Sequence, residues 1–252
     1  MCYHKSLNVT AADLQTRYDA TMPEAERFQP VYHANAYEFP AWPIVTRQQP
    51  GQLQLMKWGL IPHWVKSPGD AAEIRTRTIN ARSETIYEKP SYRTAAQKGQ
   101  RCLIPVTGFF EWYTTGKKKY PFYINAIDQN ITSIAGLWDE WPESGATPTK
   151  TGELIPTYTL LTTDANPLLA AIHNTKKRMP CLLTPEQEYA WLHENLSEKE
   201  VVELLSAPYP AERMHSHSIS KRITSRTEPS DVPTVLEPAI YPELAQHPEL
   251  FT

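Results

Sequence analysis

The stretch Arg101-Cys102-Leu103-Ile104-Pro105-Val106-Thr107-Gly108-Phe109-Phe110-Glu111-Trp112-Tyr113 decides the fold. Its first half is an apolar run of strand length, Thr107-Gly108 punctuates it, and its second half is aromatic with a single acid. It reads as two successive strands. A period of two places Phe109, Glu111 and Tyr113 on one face of the second strand, and Phe110 and Trp112 on the other. Glu111 is then a carboxylate set among aromatic rings. Desolvation there raises a carboxyl pKa toward the range useful for proton transfer at neutral pH, which makes Glu111 a candidate general acid or base. The plainer alternative is a Glu paired with a basic neighbour at a sheet edge.

Working outward, similar runs predict strands at 52–58, 120–125, 131–138 and 157–163. Residues 30–50 read as strand and loop broken by prolines. Thr10 with Asp13 three residues on caps a short helix to about residue 20. Thr184-Pro185-Glu186-Gln187 and Ser197-Glu198-Lys199-Glu200 are capping boxes opening helices over about 185–194 and 198–205. The polar stretch 79–85 reads as a turn with a helix cap. Twenty-three Pro against nine Gly cut the chain into short segments, which suits a strand-rich fold with few long helices. At 252 residues, 40% hydrophobic and with seven Trp, the chain is expected to form one domain. A surface loop is expected at 142–156 and an extended, loosely held tail from about 227.

Three cysteines without CxxC spacing exclude a disulfide framework and a zinc-ribbon site, and point to a reducing compartment. No apolar run reaches ~18 residues and no leader pattern opens the chain. A cytoplasmic protein is expected, with no membrane partner, no metal and no cofactor. The net charge of −3 is unevenly spread. Residues 74–119 carry ten Lys or Arg against three acids, whereas 227–252 carry five acids and neither Lys nor Arg. Such separation suits a basic groove for a localised polyanion, or a solvated basic face. His173 directly precedes Asn174-Thr175-Lys176-Lys177-Arg178, a setting unlike an ordinary core histidine. His215 and His217 alternate, but two ligands alone are weak support for a metal.

Met1 is followed by Cys2, small enough for the initiator to be removed. The mature chain then begins with an α-amine, titrating near ~7.7, beside a thiol titrating near ~8.5. Both nucleophiles sit on one residue, so an aldehyde can form an imine with the amine and be captured by sulfur in a five-membered thiazolidine. Taken alone, a second-position cysteine is more often incidental.

The order Met1-Cys2, then Ile79-Asn80-Ala81-Arg82-Ser83-Glu84-Thr85, Gly108-Phe109-Phe110-Glu111-Trp112, Ile172-His173, Met179-Pro180 and His217-Ser218-Ile219-Ser220 resembles the SOS response-associated peptidase (SRAP) family across nearly the whole chain. The resemblance implies a single α+β domain with an antiparallel, barrel-like β-sheet core and short flanking helices. It implies single-stranded DNA with abasic sites as partner and a covalent attachment through Cys2, with Asn80 and Glu111 as polar groups of the site and His173 as their partner. Arg82 is implied as a phosphate contact. Arg75, Arg77 and Lys89 are candidate neighbours in that task, and Trp64 and Trp112 are candidates to pack on sugar or base. Crosslinking or lyase-type chemistry by a monomer is expected, with self-processing as one route to Met1 loss. Many members begin Met-Cys-Gly-Arg, whereas this chain has Tyr3-His4 in third and fourth place. The alternative from another class is a cysteine peptidase or amidohydrolase with an N-terminal nucleophile.

Overall fold

The computed structural model describes residues 2–142 and 154–251. In chain order the regular elements are β1 (His4–Leu7), α1 (Ala11–Tyr18), β2 (Val31–Asn35), β3 (Ala41–Thr46), β4 (Gln49–Trp58), α2 (Pro68–Arg77), β5 (Asn80–Arg82), α3 (Pro90–Gln97), β6 (Arg101–Val106), β7 (Gly108–Thr115), β8 (Lys118–Ala126), β9 (Thr132–Pro142), β10 (Leu154–Asp164), α4 (Pro167–Ile172), β11 (Arg178–Pro180), β12 (Leu182–Leu183), α5 (Pro185–His193), α6 (Glu198–Ser206) and β13 (Met214–Ser218). The fold is α+β.

Strands β10, β4, β3, β6 and β9 pair in that order, and β9 pairs again with β10, closing a five-stranded barrel. Four of the five pairings are antiparallel. The fifth, between β4 and β10, is parallel, as is the short pairing of β5 with β10. β11 pairs with β10 and β12 with β9, both antiparallel, and the other five strands form a second sheet, β13-β8-β7-β1-β2, entirely antiparallel. The two predicted strands flanking Thr107 therefore belong to different sheets, β6 to the barrel and β7 to the second sheet. β7 turns into β8 through Gly116, whose φ of +57° is one that side chains seldom adopt.

β1 ties the two sheets together. It pairs with β7, yet its Lys5 is fully buried and its Nζ lies 3.9, 4.2 and 4.8 Å from the ring centroids of Trp42, Trp58 and Tyr158 on barrel strands β3, β4 and β10. The ammonium also donates to the Tyr158 hydroxyl at 2.6 Å.

The predicted caps at Thr10, Thr184 and Ser197 open α1, α5 and α6, each with a reciprocal capping box. Helices α2, α3 and α4 were not anticipated. Each has Pro in its first turn, at Pro68, Pro90 and Pro167, and two have side-chain caps from Ser67 and Asn166. A proline there loses no hydrogen bond and has its φ already set. The turn expected at 79–85 is instead strand β5 followed by a 3-10 turn, because β10 supplies it a parallel partner.

Most of the loop expected at 142–156 lies outside the described residues, while its ends continue β9 and β10, with Leu154 opposite Pro142. The tail, expected to be extended, is tied down by short 3-10 turns that bury Val235, Leu244 and Leu250. Ser218 Oγ donates to the Ala239 carbonyl and Tyr241 Oη to the Ile219 carbonyl, both at 2.7 Å.

Gly108 marks the closest approach of chains near the site. A Cβ there would lie 2.4 Å from the Tyr123 ring, whose hydroxyl donates to the Thr107 carbonyl at 3.1 Å and sits 3.1 Å from Ser6 Oγ. Gly108→Ala should destabilise the protein by about 1–3 kcal/mol, read as a lower urea midpoint at unchanged slope. An unshifted midpoint would mean that Tyr123 has another place to go.

Candidate active site

The meeting of β1, β7 and the α4–β11 connection forms a cleft of about 510 Å³ whose walls include His4, Arg82, Glu111, Trp112, His173 and Arg178. Glu111 reaches it from β7 as predicted from strand alternation and is 3% exposed. Burial pushes its carboxyl up to about 8, so it carries a proton at neutral pH. His173 is delivered as the residue that ends α4, and its Nδ1 lies 3.7 Å from Glu111 Oε2. The same Nδ1 is 2.9 Å from the Arg178 carbonyl, which only accepts. The proton therefore resides on Nδ1 and the lone pair of the neutral ring on Nε2. Burial lowers the His173 pKa and the Lys176 ammonium adds to the effect, so the imidazole stays neutral. Desolvation is the larger cause.

Cys2 is fully buried, with Sγ donating to the His4 carbonyl at 3.4 Å. Burial, reinforced by the charge of Glu111, pushes its thiol up to about 12. The antiparallel β1–β7 register, Lys5 opposite Phe109, runs the start of the chain toward Glu111, and the thiol is protonated at neutral pH. Asn80 precedes Arg82 by two residues on β5, which puts both on one face of the strand. Arg82 is exposed on the cleft wall, whereas Asn80, 9% exposed, is not among the residues that line the cleft. Both polar atoms of the Asn80 side chain are buried with no hydrogen-bond partner among the described residues.

The other predicted contacts separate. Trp112 lines the cleft with its ring edge-on to His4. Trp64, 46% exposed, and Arg77 line a different hollow of about 440 Å³ along α2, where Arg77 pairs with Glu73 at 2.7 Å. Arg75 is occupied structurally. It donates from Nε and Nη2 to the Trp58 carbonyl at 3.2 and 3.1 Å and stacks over Phe39. Burial pushes its pKa down to about 10. Lys89 is exposed at the start of α3.

The cations that do reach the cleft with Arg82 are Lys119, Lys176 and Arg178, none of them singled out as site residues from sequence. Lys119 was visible only as one of three consecutive lysines, and its placement follows from the β7–β8 register, Thr114 opposite Lys119. Arg178 is 7% exposed and is held by Glu84 and by Asp164, the latter at 2.8 Å, with its Nη2 also donating to the Thr162 carbonyl at 2.6 Å. Among the described residues no group of three or more His, Cys, Asp or Glu could hold a metal ion, and no helix is long and apolar enough to cross a membrane.

Two stability predictions follow from this geometry. A buried amide with unsatisfied polar atoms costs a fold about 1–3 kcal/mol. Asn80→Ala should therefore melt at or above the parent temperature, and a loss of more than about 2 kcal/mol would show that the amide has a partner in solution. Glu111 has a folded-state pKa of about 8 against an ordinary 4.5, so protonation stabilises the fold. That stabilisation is complete below about 4.5 and is lost as pH rises through about 8. Glu111→Gln should flatten the fall in melting temperature over this window, and an unchanged slope would place the titration elsewhere.

The family model described as SOS response associated peptidase (SRAP) matches residues 1–226. Abasic site processing protein YoqW of Bacillus subtilis is 34% identical over 215 residues, 84% of this chain and 88% of the relative. Abasic site processing protein HMCES of Xenopus tropicalis is 32% identical over 186 residues, 67% of this chain and 52% of that longer protein. A crystal structure of a Bacteroides thetaiotaomicron protein superposes with a TM-score of 0.86 at 39% identity, covering 95% of this chain and all of the other. The chain belongs to the SOS response associated peptidase (SRAP) family.

Proposed function

We propose that this protein processes abasic sites in single-stranded DNA and captures them covalently through Cys2 once Met1 is removed. The observation that carries the reading is the geometry of the cleft: the buried Glu111 carboxyl and His173 imidazole lie 3.7 Å apart, Cys2 is buried just ahead of the adjoining strand β1, and Arg82, Lys119 and Lys176 are exposed on the walls, with burial favouring the neutral forms of Glu111, His173 and Cys2. Such a set suits carbonyl chemistry on an anionic polymer better than thiolate attack on an amide, because burial holds the thiol proton far above neutrality. The names of the relatives, abasic site processing proteins, support the same substrate.

An abasic deoxyribose is mostly a closed hemiacetal. Its ring C–O bond must break, with a proton delivered to the ring oxygen and another removed from the anomeric hydroxyl. Glu111 is placed to supply the first. The freed α-amine of Cys2 then adds to the aldehyde and water leaves, giving an imine. The thiol adds across the C=N bond: sulfur bonds to carbon, the thiol proton passes to nitrogen, and a thiazolidine closes. Because the amine is the first nucleophile, the raised thiol pKa is no obstacle until the second step. His173 Nε2 is suited to carry protons during imine formation. Asn80 is suited to hydrogen-bond amine and sugar oxygens, which would satisfy its buried amide and hold the reactants in register. Arg82, Lys119 and Lys176 would neutralise phosphates, and Trp112 would pack against the sugar.

Mixing the protein with a single-stranded oligonucleotide carrying one abasic site should give a species that survives denaturing electrophoresis. Cys2→Ala should abolish it while affinity for undamaged single strands stays within about threefold, since phosphate contacts supply most of that binding. Adducts formed by Cys2→Ala at the parent rate would overturn the assignment, and amide turnover without an adduct would favour a peptidase.

A further inference from the structure

We infer that His4, His33 and Ser230 form a proton relay from the cleft to the C-terminal segment, and that it removes the anomeric proton when the closed sugar opens. The inference rests on the abasic-sugar reading above. His4 lines the cleft beside Trp112, with ring centroids 4.8 Å apart. Its Nδ1 is 2.8 Å from His33 Nε2, and His33 Nδ1 is 2.7 Å from Ser230 Oγ. The two imidazoles lie within 13° of parallel with centroids 5.0 Å apart. With nitrogens at 2.8 Å, that separation describes rings joined edge to edge by N–H···N, not stacked face to face.

His33 is locked in place. Asp231 Oδ1 accepts from the backbone N–H groups of Tyr32 and His33 at 2.7 and 3.1 Å, and Phe110 meets the His33 ring at 89°. Three of the four imidazole nitrogens are thus engaged along the chain, which leaves His4 Nε2 for the cleft. Both rings are held neutral by burial, His4 pushed down to about 3 and His33 to about 4. The charged or titratable groups around them are Asp231 on the tail side, and Tyr3, Arg82, Glu111, Lys119, His173, Lys176 and Arg178 among the cleft walls.

Neutral imidazoles in series admit two proton arrangements. In one, His4 donates to His33 and His33 to Ser230, so His4 Nε2 offers a lone pair. In the other every donor is reversed. Taking the anomeric proton at His4 Nε2 converts the first into the second: the Nδ1 proton of His4 passes to His33, that of His33 passes to Ser230, and the half-exposed hydroxyl releases its own to water. The ring oxygen meanwhile takes the Glu111 proton as its bond to carbon breaks, and Glu111 is recharged from solvent. One proton enters and one leaves, and no imidazolium need form. Ser230 and Asp231 lie beyond residue 226, where the family match ends, and His4 stands where many members carry Arg.

Single-turnover adduct formation on a single strand with one abasic site tests it. His33→Leu should slow the reaction about 10²-fold and Ser230→Ala about tenfold, with DNA affinity within about twofold. His4→Gly should be slowed like His33→Leu and regain at least about tenfold in rate with imidazole in the buffer, an effect no purely structural role would give. His4→Arg, which introduces a cation but cannot pass a proton along the relay, should be as slow. Parent-like rates in His33→Leu or His4→Arg would overturn the relay alone. Failure of the parent protein to form any adduct would overturn the abasic-sugar reading first.

Discussion

A lysine ammonium inside an apolar core must be compensated there, and in this protein three rings and a hydroxyl compensate Lys5. Burial drives its pKa well below the ordinary value, yet Trp42, Trp58 and Tyr158 surround Nζ and Tyr158 accepts its hydrogen bond. Ring faces are negative, and a desolvated cation over them is held with about 2 kcal/mol or more. The consequence is positional. Lys5 belongs to the second sheet and its cage to the barrel, so the contact fixes β1 against the barrel and aligns the residues on either side. Cys2 and His4, three and one residues before it, are thereby held at the cleft. A strand near a chain terminus ordinarily frays, but here Cys2 is anchored by the burial of its neighbour Lys5.

The second organising constraint is desolvation. It raises the Glu111 carboxyl and the Cys2 thiol and lowers the His4, His33 and His173 imidazoles, always toward the neutral form. Burial thus favours the neutral forms of these five groups, while Arg82, Lys119 and Lys176 stand exposed on the cleft walls and Arg178 is ion-paired there with Glu84 and Asp164. On the proposed function, phosphates would meet the exposed cations and the sugar would meet neutral donors and acceptors. That division lets a polyanion approach without placing a carboxylate against it, and it keeps proton donors loaded for a carbonyl reaction.

Much of this was legible from residues alone, for reasons that differ by element. Glu111 was found because strand alternation sets it among Phe109, Tyr113 and their neighbours, and α1, α5 and α6 were found because capping boxes are local signals. Helices α2, α3 and α4 were missed because Pro68, Pro90 and Pro167 were read as breaks when each opens a helix. Strand β5 carries no apolar pattern of its own and exists through its pairing with β10. The basic stretch 74–119 dissolved on folding: Arg75 bonds a carbonyl, Arg77 pairs with Glu73, and only Arg82 and Lys119 from that stretch reach the cleft. Charge counting along a chain cannot see such dispersal, because sequence neighbours on a helix and on a strand end up on different surfaces. The His4–His33–Ser230 chain joins positions 4, 33 and 230 and left no local signal whatever.

The central claim is that amine and thiol of one residue both bond to the opened sugar. The most direct measurement is peptide mass spectrometry of the adduct with single-stranded abasic DNA, formed without reductant and treated with a thiol-alkylating reagent after denaturation. The account predicts a sugar-bearing peptide that begins at Cys2, lacks Met1, and whose sulfur resists alkylation. A sugar-bearing peptide with an alkylated Cys2 thiol, or one that retains Met1, would contradict it.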